Sequence, residues 1–325
     1  MKYLSDEKLN EYVRIAYYYY KAGLTQEQIA GKTNLSRQRV NRILSQCLEL
    51  GIVQINITGH EKSYIELETR LETVYGLKAV RIAGPVTEEN AYSILGSTAA
   101  QYLSEIIKNG DVIGFSRGRA MSALVRKLPQ VQRDDLTVTQ LMGSWNNQQS
   151  NVNVDDIVHR AAEILSATTT MLYAPVVVNK RELRDSIMSE PYFQEAYSII
   201  RSCTIAAVGI GAVAESLPSD VPSMEESEFQ LYCDKQAVGE VCAHFFDREG
   251  RPVVTEFDER TISVQLEDFR TIPLRIGVAG LPLKIPAIQG ALKGGYINVL
   301  ITDQDTAESL IKTSYDISDK PTPHE

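Results

Sequence analysis

From Ala79 onward the chain alternates short apolar runs with longer amphipathic stretches, and that alternation limits its fold more than any other feature. "AVRIA", "DVIGF", "LTVTQLM", "TTTMLYA", "CTIAAVGIG", "PLRIGVAG" and "INVLITD" have the length and apolar content of buried strands. Helical spacing lies between most of them, at Asn90 to Ile107, Ala120 to Leu128, Val154 to Leu165 and Pro191 to Arg201. Strands that are apolar on both sides need cover on both faces. Intervening helices supply that cover, so this region is expected to be a Rossmann-like, doubly wound α/β domain with a mostly parallel sheet. Ligands in such domains bind beyond the carboxyl ends of the strands.

The preceding segment is built differently. From Arg14 to Gln46 it holds six basic residues, Arg14, Lys21, Lys32, Arg37, Arg39 and Arg42, against one acid, Glu27. Residues 1–58 carry eight basic and five acidic side chains, whereas the remainder carries 25 and 37. With a formal charge of -9 overall, the chain has a basic head on an acidic body, as expected when only the head meets a polyanion.

Within the head, Ser5, Asp6 and Glu7 read as a helix start with acids at the positive end of the dipole. Leu9, Val13, Ala16 and Tyr20 recur at helical spacing, which predicts that they form its buried side, and Gly23 is its expected stop. Some of the tyrosines Tyr17 to Tyr20 are expected to pack inward, the others to face a phosphate or a partner helix. Thr25-Gln-Glu-Gln28 is a capping box for a second helix ending near Thr33. Asn34 and Leu35 make a turn, and Ser36 caps a third helix. The buried stripe of that helix is Val40, Ile43, Leu44 and either Cys47 or Leu48.

Two short helices with a tight turn, the second exposing Arg, Gln and Asn, make a helix-turn-helix. The candidate DNA-binding residues are Thr25 and Gln26 at the start of the first of the pair, and Ser36, Arg37, Gln38, Arg39, Asn41 and Arg42 on the second. Arginine forks match guanine, and Gln or Asn matches adenine. A solvated helical face is the plainer use of arginine, but the turn, the caps and the polar residue types agree on DNA. Val53, Ile55 and Ile57 alternate with polar residues as a wing-like strand. Tyr64, Leu67, Leu71 and Val74 then mark a connecting helix that offers an oligomer contact. The expected boundaries are 1–58 for the DNA-binding domain, 59–78 for the linker helix, 79–315 for the α/β domain and 316–325 for a flexible tail.

Several strand ends carry polar chemistry. "GFSRGRA" places Ser116, Arg117, Gly118 and Arg119 between a strand and a helix, where backbone N–H groups and a guanidinium suit a phosphate or carboxylate. Gly209 and Gly211 follow another strand and permit either a packing turn or close approach to a ligand. Lys284 lies at a third strand-to-helix junction. Asp247, in "FFDREG", suits ligand hydroxyls, but its spacing before Arg-Glu-Gly favours a turn. The polar loop "GSWNNQQSNVN" is open between lining a sugar site and solvation.

Four scattered cysteines without CxxC spacing read as reduced residues of a cytoplasmic protein. The dispersed histidines predict no metal site, and no other cofactor is indicated. The start MKYLSDEKLNEY lacks the apolar core of a signal peptide.

Taken together, these blocks resemble the SorC family of bacterial transcriptional regulators over nearly the whole chain. They are "YYYYKAGLTQEQIAGKTNLSRQRVNRILSQCLELGIVQINI", "VIGFSRGRAMSAL", "AVGIGAV", "VGEVCAHFFDREGRPV" and "LEDFRTIPLRIGVAGLPLKIPAIQGALKGGYINVLITDQDTAESLI". The resemblance implies a DNA-binding repressor or activator, a dimer or tetramer, acting on double-stranded operator DNA. It implies an effector domain similar to ribose-5-phosphate isomerase and glucosamine-6-phosphate deaminase that binds a sugar, a polyol or their phosphate. It also implies that Ser116 to Arg119 and Lys284 hold the anionic end of the effector, and Asp247 its hydroxyls. Three positions depart from the family pattern: Ala120 where threonine is usual, Arg117 where an aromatic residue is common, and Leu281 where glycine is usual. The alternative is a sugar-phosphate isomerase or deaminase-like enzyme with an accessory DNA-binding domain. "AVAESL" after "GIG" lacks the Asp-Gly-His that such chemistry would use.

Overall fold

The computed structural model describes residues 5–54, 64–144, 152–215 and 224–318, with side chains to residue 313. The chain divides into two compact units between residues 63 and 64.

The first unit contains α1 (Asp6–Ala16), a π turn over Tyr17–Lys21, α2 (Gln26–Thr33) and α3 (Arg37–Glu49). Asp6 and Glu7 lie in the first turn of α1 and Arg14 in its last, complementing the dipole, although the Ser5 hydroxyl makes no capping bond. Thr25 and Gln28 form the expected capping box. Ser36 Oγ accepts the Arg39 N–H at 3.2 Å. Val40, Ile43, Leu44 and Cys47 form the buried stripe of α3, while Leu48 is exposed.

The buried side of α1 differs from the expectation. Ile15 and Ala16 are buried and Tyr12 is half-buried, whereas Leu9, Val13 and Tyr20 are exposed. Polar contacts select the face. The Tyr12 hydroxyl donates to Gln46 Oε1 at 2.5 Å, and the Cys47 thiol donates to the Tyr12 carbonyl. Of the four tyrosines only Tyr18 packs on this core, under Lys32. After α3, Ile52 and Val53 fold back onto the core as turn residues. The rest of the expected wing strand, 55–58, lies outside the described residues.

The second unit begins with α4 (Ile65–Tyr75), β1 (Ala79–Ala83), α5 (Ala91–Ile106), β2 (Val112–Phe115), α6 (Arg119–Lys127), β3 (Thr137–Gln140), α7 (Val154–Leu165) and β4 (Thr168–Thr170). It continues with α8 (Arg181–Ser189), α9 (Pro191–Arg201), β5 (Ile205–Gly209), β6 (Gly211–Ala212), α10 (Glu226–Asp234), β7 (Ala237–Val241) and β8 (His244–Asp247). The last elements are α11 (Leu266–Thr271), β9 (Leu274–Val278), α12 (Ile285–Lys293), β10 (Val299–Asp303) and α13 (Gln304–Ser318).

Seven strands form one parallel sheet in the order β1-β10-β9-β5-β2-β3-β4. Its two faces separate by the strand period of two. Ile205 and Ala207 of β5 join the core under α5, α6 and α7, while Ala206 and Val208 join the core under α9, α12 and α13. The sheet is therefore covered on both faces, as the apolar runs require.

Sequence reading missed the small antiparallel sheet β6-β7-β8. Its β7–β8 hairpin turns on Cys242 and Ala243, at φ 52° and 64°. Two residues in the left-handed region make a tight hairpin turn, normally marked by Asn-Gly or Asp-Gly.

Helix α4 is not free for an oligomer contact along its whole apolar face. Leu71 is fully buried, and Tyr64 and Leu67 pack against the same core. Its carboxylates finish the edge of the sheet. Glu72 Oε1 accepts the Val80 N–H and Glu68 Oε1 accepts the Ile82 N–H, each at 2.8 Å. The four-residue spacing on the helix matches the two-residue spacing of free N–H groups on β1, so this edge cannot template another strand. Helix α13 runs to Ser318, so residues 316–318 continue it instead of starting a tail, and 319–325 lie outside the described residues.

Candidate functional site

In the first unit, Arg37, Gln38, Arg39, Asn41, Arg42 and Ser45 are exposed along α3. Gln26, in the first turn of α2, donates from Nε2 to Asn41 Oδ1 at 3.1 Å. That bond ties the side chain of Asn41 to the neighbouring helix and leaves its amide group free to donate. Asn34 turns the chain between α2 and α3 at φ 58°, a conformation that asparagine tolerates. Thr25 and Ser36 occupy the two N-caps, where their hydroxyls serve the backbone. The exposed face can neutralise phosphates and present forked donors to base edges.

In the second unit β2, β5 and β9 are neighbours, so the loops that follow them open at one place. Ser116 is buried there, and its Oγ accepts the Gly209 N–H at 3.1 Å. Its own N–H donates to the Ala207 carbonyl at 3.0 Å. Ser116 thus clasps β2 to β5. Gly118, at φ 142°, precedes the first turn of α6. Arg119 lies over the Tyr92 ring at 4.4 Å, and Arg117 Nε donates to the Val152 carbonyl at 3.4 Å. From the β9 loop, Lys284 Nζ donates to the Ile210 carbonyl at 3.0 Å and stands 3.7 Å from Glu215 Oε2. Burial pulls the Lys284 pKa below its ordinary value; Glu215 opposes this and Arg119 reinforces it. Leu281, which opens this loop, holds φ 80° and donates its N–H to Asp303 Oδ2 at 2.8 Å. A leucine in that region is strained, and strain of this kind gathers at ligand sites.

Sequence reasoning missed Glu240. It pairs with Gly211 between β7 and β6, and a Cβ at Gly211 would stand 2.5 Å from its Oε1, so only glycine leaves room for the carboxylate. Gly209 is under no such constraint, since a Cβ there would meet only the Arg117 carbonyl at 3.8 Å. Glu240 Oε2 accepts the Ala243 N–H at 2.9 Å. Burial raises the pKa of this carboxyl, against the pull of the Ala243 N–H, Arg117 and Lys284. The available signal was a carboxylate next to glycine inside the apolar run "AVGEV".

Asp247 is not brought to this place as a free acceptor. Its Oδ1 accepts the Glu249 and Arg251 N–H groups at 2.9 Å each, and its Oδ2 accepts Arg251 Nε at 2.8 Å. These three bonds hold Asp247 in the turn after β8. Trp145 to Asn151 lie outside the described residues, and Asn153 caps α7 through the Asp155 N–H. Among the described residues no cluster of three or more His, Cys, Asp or Glu side chains could hold a metal ion. No helix among them is long and apolar enough to cross a membrane.

Arg117, Arg119 and Lys284 therefore meet Glu215 and Glu240 at one sheet edge. That set can bind an anionic group at its cationic side and accept hydrogen bonds from hydroxyls at its carboxylates.

A family model described as "Putative sugar-binding domain" matches residues 60–312, and a winged helix-turn-helix DNA-binding model matches residues 15–54. The sorbitol operon regulator of Klebsiella pneumoniae is 33% identical over 305 residues, spanning 92% of this chain and 97% of that protein. The deoxyribonucleoside regulator of Bacillus subtilis (strain 168) is 32% identical over 311 residues, spanning 95% and 99%. The crystal structure of the full-length sorbitol operon regulator from Klebsiella pneumoniae matches with a TM-score of 0.73 at 30% identity, covering 94% of this chain and all of that one.

Proposed function

This chain belongs to the SorC family of transcriptional regulators, and from that premise we propose that it controls a carbohydrate or polyol catabolic operon from the cytoplasm. Helix α3 reads double-stranded operator DNA, with Arg37, Gln38 and Asn41 on base edges and Arg39 and Arg42 on phosphates. A sugar, polyol or sugar phosphate binds at the ends of β2, β5 and β9. Its anionic or most electron-rich end meets Arg117, Arg119 and Lys284, and its hydroxyls meet Glu240. The observation that carries this reading is the convergence of three cations and a half-buried carboxylate at one sheet edge, in a chain that also carries a helix-turn-helix.

The test is a thermal-shift screen of sugars, polyols and their phosphates, followed by gel shift on the chain's operator with each hit. A true effector at a hundredfold excess over its Kd stabilises by about 2.7 kcal/mol and changes DNA binding. No stabilising sugar, or one that leaves DNA binding unchanged, contradicts the reading. Glu240 is also the one observation that favours turnover, since a carboxyl with a raised pKa beside a lysine suits proton transfer. Incubation with ribose 5-phosphate or glucosamine 6-phosphate is expected to yield no product.

A further inference from the structure

We propose that the outer face of α1 is a self-association surface, on which a second copy of this chain lays its own α1 antiparallel. Leu9, Val13 and Tyr17 recur every four residues and are 40%, 49% and 62% exposed. Tyr20 extends the same stripe and stacks edge-to-face with Tyr19. Three large apolar side chains in a row on a short helix exceed the scattered exposure normal for a surface. They are also the side that α1 turns away from α3, because Tyr12, Ile15 and Ala16 form the inward side.

Charge selects the occupant and its direction. Asp6 and Glu7 stand exposed at the start of α1, and Lys21 stands exposed at the end of the π turn. A parallel copy would set acid against acid and lysine against lysine. An antiparallel copy centred on Val13 sets Leu9 against Tyr17 of the second copy, and Asp6 beside Lys21 of the second copy. The patch is then complementary to itself, and an isologous contact closes at two copies. Because α1 is held to α3 through Tyr12, Gln46 and Cys47, this contact would also fix the spacing of two recognition helices. The benefit of pairing rests on the DNA-binding reading; the surface itself does not.

The test uses full-length chains in a Cys233→Ser background, without DNA or effector, because the other three cysteines are buried. A disulfide forms only where two Cα atoms come within about 7 Å. Val13→Cys alone is expected to give a covalent dimer on mild oxidation. Leu9→Cys and Tyr17→Cys chains, co-expressed with different tags, are expected to give the mixed disulfide, whereas each expressed alone stays uncrosslinked. Adding Val13→Glu to both should abolish the mixed product while the far-ultraviolet circular dichroism is retained. Homodimers of Leu9→Cys and of Tyr17→Cys, an intrachain product, or no product at Val13→Cys would overturn the proposal. Since neither DNA nor sugar is present, failure here leaves the regulator reading standing, and failure of that reading leaves this surface standing.

Discussion

Arg37, Gln38 and Asn41 occupy the exposed first half of α3, so alanine at each should cost roughly 1–3 kcal/mol of discrimination at one base pair. Arg39→Ala or Arg42→Ala should instead weaken binding to all sequences and lower the salt slope by about one. Titrations over a salt series, on operator and on scrambled DNA, separate the two classes. At the proposed effector site, Glu240 has a folded pKa above its ordinary value, and Ala243 N–H, Arg117 and Lys284 face it. Its neutral form is the one the fold prefers. Its contribution to stability is therefore full below the ordinary carboxylate pKa and is lost as pH rises through the folded pKa. Glu240→Gln should raise the melting temperature of the ligand-free protein near pH 8, with little gain near pH 4. It should also weaken the effector about tenfold, the effect of one lost hydrogen bond to a ligand hydroxyl. Asp247→Ala should do the opposite: lower stability by about 0.5–1.5 kcal/mol through the turn bonds it removes, with effector affinity unchanged by calorimetry.

Among the elements, α4 shows how one helix can finish a sheet. Glu68→Ala with Glu72→Ala frees two edge N–H groups of β1 and should cost about 1–3 kcal/mol for each. Urea denaturation measures that loss, and light scattering should report association through the exposed edge. The β7–β8 hairpin shows why an element can be invisible in sequence. Cys242 and Ala243 adopt left-handed conformations that cost about 1–2 kcal/mol each and carry no turn signature. One local and one tertiary bond compensate: Ala243 N–H donates to Glu240 three residues back, and the Cys242 carbonyl accepts the Ser263 hydroxyl at 2.7 Å. The helices were legible by their hydrophobic period and the parallel strands as short apolar runs between them. The exposure of Leu9 and Val13 was not, because α1 offers two apolar sides and period alone does not choose between them.

For the whole molecule, regulation needs an effector that binds one arrangement of the protein better than another. Thermodynamic linkage then makes the effect reciprocal. If effector changes operator affinity by a given factor, operator must change effector affinity by the same factor, typically 5–150-fold. Calorimetric titration of effector with and without saturating operator measures this directly, and unequal factors would rule out a two-state switch. By itself the sequence determined the division into a basic head and an acidic α/β body, the caps and turn of the helix-turn-helix, and the buried stripe of α3. Those features depend on charge, local capping and period, which a chain carries along its length. Tertiary structure alone decided that Glu240, not Asp247, faces Arg117 and Lys284. It also decided that Ser116 serves as a clasp and that α1 turns Tyr12 inward and Val13 outward. Each of these depends on which residue from a distant segment arrives first to satisfy a donor or fill a space. Asp247 meets Arg251 four residues along the chain, whereas Glu240 meets Arg117 only because β2 lies beside β5 and β7 pairs with β6, the strand that follows β5.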